Sequence, residues 1–353
     1  MRVASPASPR RVSVVVPVYN GAATIRGCLE ALRRQTQPPV EVLIVDNNST
    51  DETVACIERF IDEQAVAGVK LLQEPFRGAA AARNRGVEAA AGDLVCMTDA
   101  DCEPAPDWIE RLAAAFGEDP TIGAVAGNIA GKTPRNVLQL FLCLFTLRGA
   151  ARGAVFRSIT PRAGGFPTAN FAVRRALFLE LGGFDRRIPI YGEDYDLCGR
   201  IYRAGYAIRY TEEALVLHVH RGTLRGMLRQ SFGFGKAHAL GLRRYYEPRL
   251  ALVLPGKFCE WRWGRLSAWI DLASAEKKLA ALLLLAWWQP LALLLAAAYL
   301  AYVERDIRRR MRQIGLRGGR AAGLQCTGLL LLKSAALTLG RWYGSVRYRS
   351  VCL

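Results

Sequence analysis

The chain of 353 residues has only three histidines, and its nine cysteines lie at scattered positions without CxxC or CxH spacing. Zinc sites need such short spacings, and disulfide frameworks are typical of small secreted domains. The sequence favours neither, and the cysteines are predicted to be small buried apolar residues. The polar N-terminus has no apolar region of the kind found in signal peptides, so the folded part is expected to face the cytoplasm.

Acidic residues are scarce in the C-terminal third of the chain. From residue 249 onward, 17 lysines and arginines stand against 5 acidic residues, which leaves the first 248 residues with +5 of the total net charge of +17. This asymmetry predicts contact with an anionic surface, either nucleic acid or a membrane leaflet. Nucleic-acid binding calls for interleaved aromatic residues. The basic residues here are interrupted by long apolar segments instead, so we expect a membrane and no nucleic acid.

The longest uncharged segment covers residues 279–303. It is long enough to cross the bilayer core, which needs about 20 apolar residues. Gln289 and Pro290 interrupt it in the middle, and basic residues lie on both of its flanks. Two interpretations stay open, a kinked span and a re-entrant hairpin with both ends in the cytoplasm, and the charge pattern favours the hairpin. A buried helix of a soluble domain is the third alternative.

These patterns predict three regions. Residues 1–11 are a flexible N-terminus, residues 12–248 a catalytic domain, and residues 249–353 a basic, helical, membrane-associated region. Within the last region, residues 323–340 are predicted to form an amphipathic interfacial helix, although a short second span stays open.

Strand-like and helix-like segments alternate along the first part of the chain. The strand patterns lie at Val12–Val18, Val40–Val45, Val69–Gln73 and Leu94–Thr98, and the helical patterns at Thr24–Gln35, Thr50–Ala65, Gly78–Ala91 and Asp107–Phe116. Such alternation predicts an α/β fold with a doubly wound, mostly parallel sheet and right-handed crossovers. Beyond residue 124 the pattern is irregular, and this part is expected to complete the sheet and build the acceptor side.

Two carboxylates, Asp99 and Asp101, follow the fourth predicted strand and are the most informative feature of the chain. Ligands bind at the carboxyl ends of strands in open α/β sheets. Closely spaced carboxylates repel one another unless a cation lies between them, and the divalent cations that hold phosphates prefer carboxylate oxygens. The pair is therefore predicted to hold a metal and a diphosphate, with a solvated acidic turn as the alternative.

Polar residues also follow the other predicted strands. Pro17 and Tyr19 lie at the end of the first strand, and Asp46 ends the second, where it could accept a hydrogen bond from a nucleobase imide or only cap the next helix. Arg83, in the third predicted helix, suits a diphosphate or ribose, with a solvated arginine as the ordinary alternative.

Two later segments add candidates for acid–base chemistry and metal binding. Glu193 and Asp194 open a predicted helix, where acidic residues either complement the helix dipole or supply a general base. His218 and His220 are two residues apart in an extended segment and share one face. Because two of the three histidines fall here, one is predicted to complete a metal site, and a structural histidine is the alternative.

The ordered set of motifs resembles the family 2 glycosyltransferases, which have the GT-A fold. The motifs are VVVPVYN, VDNNSTDET, GAAAARNRG, DAD, GGF, GEDYDL and HVH, and they span roughly residues 12 to 235. The resemblance implies inverting transfer of a sugar from a nucleotide-diphospho-sugar, with UDP or dTDP favoured and with Mn²⁺ or Mg²⁺ as cofactor.

By motif position, the resemblance also implies roles for single residues. Asp46 would contact the base, Arg83 the nucleotide, and Asp99 the ribose and diphosphate. Asp101 and His218 would hold the metal, Asp194 would be the general base, and Glu193 would shape the acceptor site. Apart from the resemblance, Pro17, Tyr19 and Arg221 are predicted to bind substrate.

One departure from the family pattern concerns chain elongation. Processive members carry a Q/RxxRW motif after the general base, and the corresponding segment here, residues 230–234, has no Arg-Trp. We therefore expect transfer of one or a few sugars. Arg221 and Arg225 are predicted to bind a lipid-linked diphosphate, so the acceptor is expected to be a lipid-linked or cell-surface glycan. A sugar-phosphate nucleotidylyltransferase and a non-catalytic membrane scaffold of the same fold are the alternatives.

Overall fold

The computed structural model describes residues 10–64, 68–145, 153–159, 164–188, 191–220, 222–246, 249–254, 256–262, 267–316 and 319–353. The chain divides into two compact units: residues 1–130 with 148–219, and residues 131–147 with 220–353. Each unit is described by itself. The domain boundary predicted after residue 248 stays a prediction.

The secondary structure alternates in the first half of the chain and becomes mainly helical in the second. The strands are β1 (Val12–Val18), β2 (Glu41–Asp46), β3 (Val69–Gln73), β4 (Leu94–Thr98), β5 (Cys102–Pro104), β6 (Ile122–Gly131), β7 (Val155–Phe156), β8 (Asn170–Arg174), β9 (Ala207–His218), β10 (Arg249–Leu254), β11 (Lys257–Arg262), β12 (Ala268–Asp271) and β13 (Val351–Cys352). The helices are α1 (Ile25–Arg33), α2 (Thr53–Gln64), α3 (Ala79–Ala89), α4 (Trp108–Ala115), α5 (Val137–Phe145), α6 (Arg175–Glu180), α7 (Glu193–Arg203), α8 (Leu224–Tyr245), α9 (Ala275–Ala286), α10 (Ala292–Gln313) and α11 (Arg320–Tyr348).

The first unit is built on one large sheet in the order β3-β2-β1-β4-β8-β6-β9-β5, with β7 also paired to β9. Strands β3, β2, β1 and β4 are parallel neighbours, and β8 joins β4 in the antiparallel direction. The carboxyl ends of β1, β2 and β4 therefore meet at one edge of the sheet. The α/β fold predicted from the sequence is confirmed.

The core of this unit lies around β1, in which every residue is buried. A strand covered on both faces has a continuous apolar sequence, and the valines of β1 fit this rule. Helix α3 packs closely on the strand, because a Cβ at Gly86 would collide with the side chain of Val15. Gly86 thus holds α3 against the sheet and fixes the position of Arg83, one turn earlier.

The second unit combines helices with a small sheet in the order β11-β10-β12-β13. Its main apolar cluster includes Phe141, Met227, Ile307 and Cys326, which come from α5, α8, α10 and α11. The sequence predicted helical segments after residue 248, over 279–303 and 323–340, but not α5, α8 or the sheet.

The segment predicted as a span or hairpin forms two helices, α9 and α10, separated by residues 287–291. The predicted interfacial segment 323–340 lies within α11, which is longer at both ends. Among the described residues, α11 is the helix long and apolar enough to cross a membrane by length and composition, and 22% of its most apolar stretch is buried.

Candidate active site

Asp46 ends β2 at the edge of the sheet and is 2% exposed. Its Oδ2 accepts a hydrogen bond from the Ser49 N–H at 3.3 Å, which is the local capping role. Its Oδ1 is buried and has no partner among the described residues. A buried acceptor without a partner is costly. The Asp46 Oδ2 thus accepts from the backbone, and the Oδ1 is left for a ligand that donates a hydrogen bond.

The two predicted residues at the end of β1 differ in exposure. Pro17 lies within β1 opposite Val45 and is buried, whereas Tyr19 follows the strand and is 45% exposed. The Arg77 guanidinium lies 5.4 Å from the centre of the Tyr19 ring. Tyr19 and Arg77 therefore form an accessible cation–π pair at this edge, while Pro17 contributes to the strand.

Arg83 is the central residue of the site. It projects from α3 and is 5% exposed. Its guanidinium contacts the Asp99 carboxylate at 2.8 Å and the Glu193 carboxylate at 3.2 Å, and lies 5.8 Å from the centre of the Phe184 ring. The neighbouring carboxylates raise the pKa of Arg83 against the opposing effect of its burial. The solvated-arginine alternative does not fit this environment. The Arg83 Nε has no partner among the described residues, so one donor is left for a ligand.

Asn84 fixes the loop next to Arg83, a role the sequence did not reveal. Its Nδ2 donates to the Phe184 carbonyl at 2.9 Å, and its Oδ1 accepts from the Phe184 N–H at 2.7 Å. Gly183 has φ +68°, and a Cβ there would approach the Asn84 Oδ1. The Gly-Gly-Phe sequence of residues 182–184 was the available signal, because glycine suits positive φ and close approach.

Asp101 and His218 come together because β5 pairs with β9, with Cys102 opposite His218 in the register. The His218 Nε2 lies 3.5 Å from the Asp101 Oδ1. Ligand atoms of Asp101, Cys102 and His218 all lie within 4.8 Å of one another. Cys102 is fully buried, and this burial raises the pKa of its thiol well above the usual value. A protonated thiol is a weak ligand, so the carboxylate and the imidazole are the groups that fit a metal here.

Glu193 and Asp194 form the first turn of α7. They follow Tyr191 and Gly192, both with positive φ, at 77° and 110°. A tyrosine in this region is strained, and such strain tends to occur at functional sites. The Tyr195 N–H donates to the Asp194 Oδ1 at 2.8 Å. Burial, and after it the neighbouring Glu193 carboxylate, raise the pKa of Asp194 to about 7.

A cleft of about 430 Å³ opens beside Glu193 and is lined in part by Phe76, Arg77, Arg186 and Ile188. Neither arginine was predicted as a site residue. Both lie next to predicted motifs, since Arg77 precedes Gly78 and Arg186 follows the Gly-Gly-Phe-Asp segment. The cleft therefore places cationic groups beside the acidic start of α7.

The structure thus brings some of the predicted residues into direct contact, whereas others only share the same edge of the sheet or lie elsewhere in the chain. Arg83 links Asp99 to Glu193, and Asp101 meets His218. Asp46 belongs to the same sheet edge. Arg221 lies outside the described residues, and His220 falls in the second unit, where its carbonyl accepts from Gln139. The roles assigned to all these residues stay predictions.

Known proteins match both the sequence and the fold. The pattern described as "Glycosyl transferase family 2" matches residues 13–182. The chain is 34% identical over 270 residues to the pre-mycofactocin glycosyltransferase of Mycobacterium tuberculosis, over 74% of this chain and 53% of that relative. It is 29% identical over 257 residues to the glycosyltransferase AglE of Haloferax volcanii, over 69% of this chain and 80% of that relative. The chain belongs to the family 2 glycosyltransferases.

This family 2 glycosyltransferase spans about half the length, 53%, of the Mycobacterium relative. Solved structures share its fold. The mannosyltransferase PcManGT from Pyrobaculum calidifontis, in complex with GDP-Man and Mn²⁺, aligns with a TM-score of 0.52 and 24% identity, over 93% of this chain and 87% of that chain. Staphylococcus aureus TarS 1–349, in complex with UDP-GlcNAc, aligns with a TM-score of 0.51 and 19% identity, over 67% of each chain. The predicted family is confirmed.

Proposed function

We propose that this family 2 glycosyltransferase transfers a sugar from a nucleoside-diphosphate sugar to a hydroxyl of a lipid-linked or cell-surface glycan, with inversion at the anomeric carbon. UDP or dTDP is the favoured nucleotide. The observation that carries the proposal is the bridge made by Arg83, which contacts Asp99 after β4 and Glu193 at the start of α7. This bridge connects the predicted donor side of the site to the predicted catalytic carboxylates.

The donor side offers complementary groups for a nucleotide. The buried Oδ1 of Asp46 is suited to accept from a base imide, and the buried Nε of Arg83 is suited to donate to a ribose or phosphate oxygen. Each atom lacks a partner within the described part of the chain, which supports a ligand role for both.

Asp101 and His218 are the residues that would hold Mn²⁺ or Mg²⁺. A carboxylate oxygen and an imidazole nitrogen 3.5 Å apart form a donor set that suits such ions. A divalent cation held there would offset the negative charge on the departing nucleoside diphosphate.

Asp194 is proposed as the general base. As the acceptor oxygen forms its bond to the anomeric carbon and the bond to the diphosphate oxygen breaks, the hydroxyl proton passes to the Asp194 carboxylate. A pKa raised to about 7 suits a group that must accept a proton near neutral pH. Glu193 has a buried Oε2 without a partner among the described residues, and this oxygen is suited to orient the acceptor hydroxyl.

We further propose that the enzyme works on the cytoplasmic face of a membrane. The basic excess after residue 248 and the uncharged segment 279–303 support this placement. Arg221 and Arg225 are proposed to bind the diphosphate of a lipid-linked acceptor.

The test is release of nucleoside diphosphate from a panel of nucleotide sugars by the detergent-purified protein, with and without Mn²⁺. We expect metal-dependent release from one donor, lost in Asp101→Ala and retained in the control Asp107→Asn, which changes an exposed surface ion pair. NMR of the transferred sugar should show an inverted anomeric configuration. Pyrophosphate release from a nucleoside triphosphate would point to a nucleotidylyltransferase instead. Absence of metal-dependent nucleotide binding in the wild type would contradict an enzymatic role.

A further inference from the structure

The turn between α9 and α10 exposes large apolar side chains at its tip. Trp287 is 90% exposed, Trp288 85%, Leu284 73% and Leu291 69%. A few scattered exposed apolar residues are ordinary on a protein surface, but a contiguous set of this kind marks an interaction site. Helix α9 has no buried residue among those described. This tip is therefore an apolar surface that the second unit does not cover.

Helix α10 shows where the apolar surface ends. Its buried side carries Ala292, Ala296, Val303, Ile307 and Met311, which face the rest of the second unit. A surface helix of a soluble protein is polar on the opposite side. In the first half of α10, the opposite side is leucine and alanine instead. Polar character begins only in the second half of the helix.

The second half of α10 exposes Arg305, Arg309 and Arg312, which are four and three residues apart and so share one face. At the other end of the hairpin, Lys277 and Lys278 lie in the first turn of α9. Because α9 and α10 are joined by the short turn 287–291, the start of α9 and the end of α10 both lie away from the tip. The hairpin thus has an apolar tip and a basic base, the order expected for a segment that enters a leaflet with anionic headgroups.

The length of the apolar part distinguishes insertion from spanning. The uncharged residues of α9, 279–286, are about 12 Å long at 1.5 Å per residue, and those of α10, 292–303, are about 18 Å long. The hydrocarbon core of a bilayer is about 30 Å thick. Neither arm can therefore cross the bilayer, and the shorter arm stays within the depth of one leaflet, which is about 15 Å.

Helix α11 is less suited to be the inserted element. A Cβ at Gly340 would collide with the Phe232 carbonyl of α8, and a Cβ at Gly235 with the Leu337 carbonyl of α11, so the two helices pack with their backbones in contact. Arg341 is 3% exposed and contacts the Asp271 carboxylate at 2.8 Å. Transfer of α11 into lipid would disrupt its packing against α8 and break the ion pair between Arg341 and Asp271.

We propose that the tip formed by residues 283–295 inserts as a re-entrant hairpin into one leaflet of an anionic membrane. The tip carries both tryptophans into the hydrocarbon region, and the basic residues at the base bind the headgroups. Neither the insertion nor its test depends on the proposed sugar transfer.

The first experiment measures flotation of the full chain with vesicles of phosphatidylcholine alone and of phosphatidylcholine mixed with phosphatidylglycerol. We expect binding to the mixed vesicles, weakened by salt and lost in Trp287→Glu/Trp288→Glu. The matched control is Trp261→Glu, which changes a tryptophan of β11 that is 49% exposed. Both variants change exposed side chains, and circular dichroism verifies that they fold. Equal binding by the tip variant and the wild type would overturn the proposal.

A second experiment tests the depth and the topology. Acyl-brominated lipids should quench the wild-type fluorescence more than that of Trp287→Phe/Trp288→Phe, which keeps the tip apolar. A protease site inserted after Gly315, in the turn that follows α10, should be cleaved by protease added outside vesicles that carry the protein. Protection of that site would show that residues 279–303 span the bilayer and would overturn the hairpin. Self-association of the wild type without vesicle binding, lost in the tip variant, would assign the tip to a second copy of the chain and would also overturn it.

Discussion

At the level of single residues, Asp194 has a raised pKa, and its proposed role as general base requires the charged form. The charged groups that shift this carboxyl are Glu193 on its own helix and Arg83 on α3, in addition to its burial. We expect Asp194→Asn to lower the rate of transfer by about 10²- to 10⁴-fold, the usual contribution of a general base. In the wild type, kcat/KM should fall as the pH decreases below about 7, because the protonated acid cannot accept a proton. A rate that stays unchanged between about pH 6 and about pH 8, at a fixed concentration of Mn²⁺, would contradict the assignment of Asp194 as the general base.

The same substitution has an expected effect on stability. The pKa of Asp194 is higher in the folded chain, about 7, than the ordinary value of 3.8, so charging this group costs the folded state stability as the pH rises through that window. Asp194→Asn should therefore unfold at a higher temperature than the wild type above pH 7, and the difference should vanish near pH 4. Thermal unfolding followed by circular dichroism measures this difference. A variant less stable than the wild type at every pH would show that the carboxyl is structural.

We expect Arg83 to act through its simultaneous contacts with Asp99 and Glu193, and not through its charge alone. Lysine keeps the charge but cannot contact Asp99 and Glu193 together in the geometry of a guanidinium. Loss of a hydrogen bond to a charged group costs about 1.5–3 kcal/mol, so Arg83→Lys should weaken donor binding by about 10- to 100-fold. Calorimetric titration with the nucleotide measures the effect. Arg85→Lys, on the exposed side of the same helix, is the control and should bind like the wild type.

At the level of helices and strands, the sequence predicts the parallel part of the sheet accurately. The ranges of β1, β3 and β4 agree residue for residue with their strand patterns. In β1 and β4 every residue is buried, and a strand that is covered on both faces has a continuous apolar sequence between turn residues. From the sequence, Asp101 and His218 could be linked only as ligands of a shared metal. The pairing of β5 with β9, which brings them together, joins residues far apart in sequence. Strands β10 to β13 were also missed. β13 has only two residues and pairs with β12 from the far end of the chain, whereas β10 and β11 form a local hairpin in a region that was predicted to be helical.

The packing of α8 against α11 gives a prediction at this scale. A Cβ at Gly340 would collide with the backbone of α8, whereas a Cβ at Gly328, also in α11, would meet nothing within 4 Å. We expect Gly340→Ala to destabilise the protein by about 1–3 kcal/mol through overpacking. Gly328→Ala should leave the stability unchanged or raise it by up to about 1 kcal/mol, because alanine favours the helix. Thermal unfolding of both variants in the same detergent tests this. A similar shift for both would contradict the close packing.

At the level of the whole molecule, the two units differ in charge and in the chemistry that they offer. The sheet of the first unit holds the acidic and metal-binding candidates, and the second unit carries most of the basic excess and the apolar tip. This division suggests that one unit performs the chemistry and the other brings the enzyme to its acceptor. The two functions should then be separable by substitution.

Trp287→Glu/Trp288→Glu tests that separation directly. The site residues all lie in other elements, so the variant should release nucleoside diphosphate from the donor in detergent at the wild-type rate. It should also transfer sugar normally to a short, water-soluble acceptor. Transfer to a lipid-linked acceptor in anionic vesicles should fall in proportion to the loss of vesicle binding, because the enzyme no longer concentrates at the surface that holds the acceptor. Equal loss with the soluble and the lipid-linked acceptor would show that the tip supports catalysis itself, and the division of labour between the two units would then be wrong.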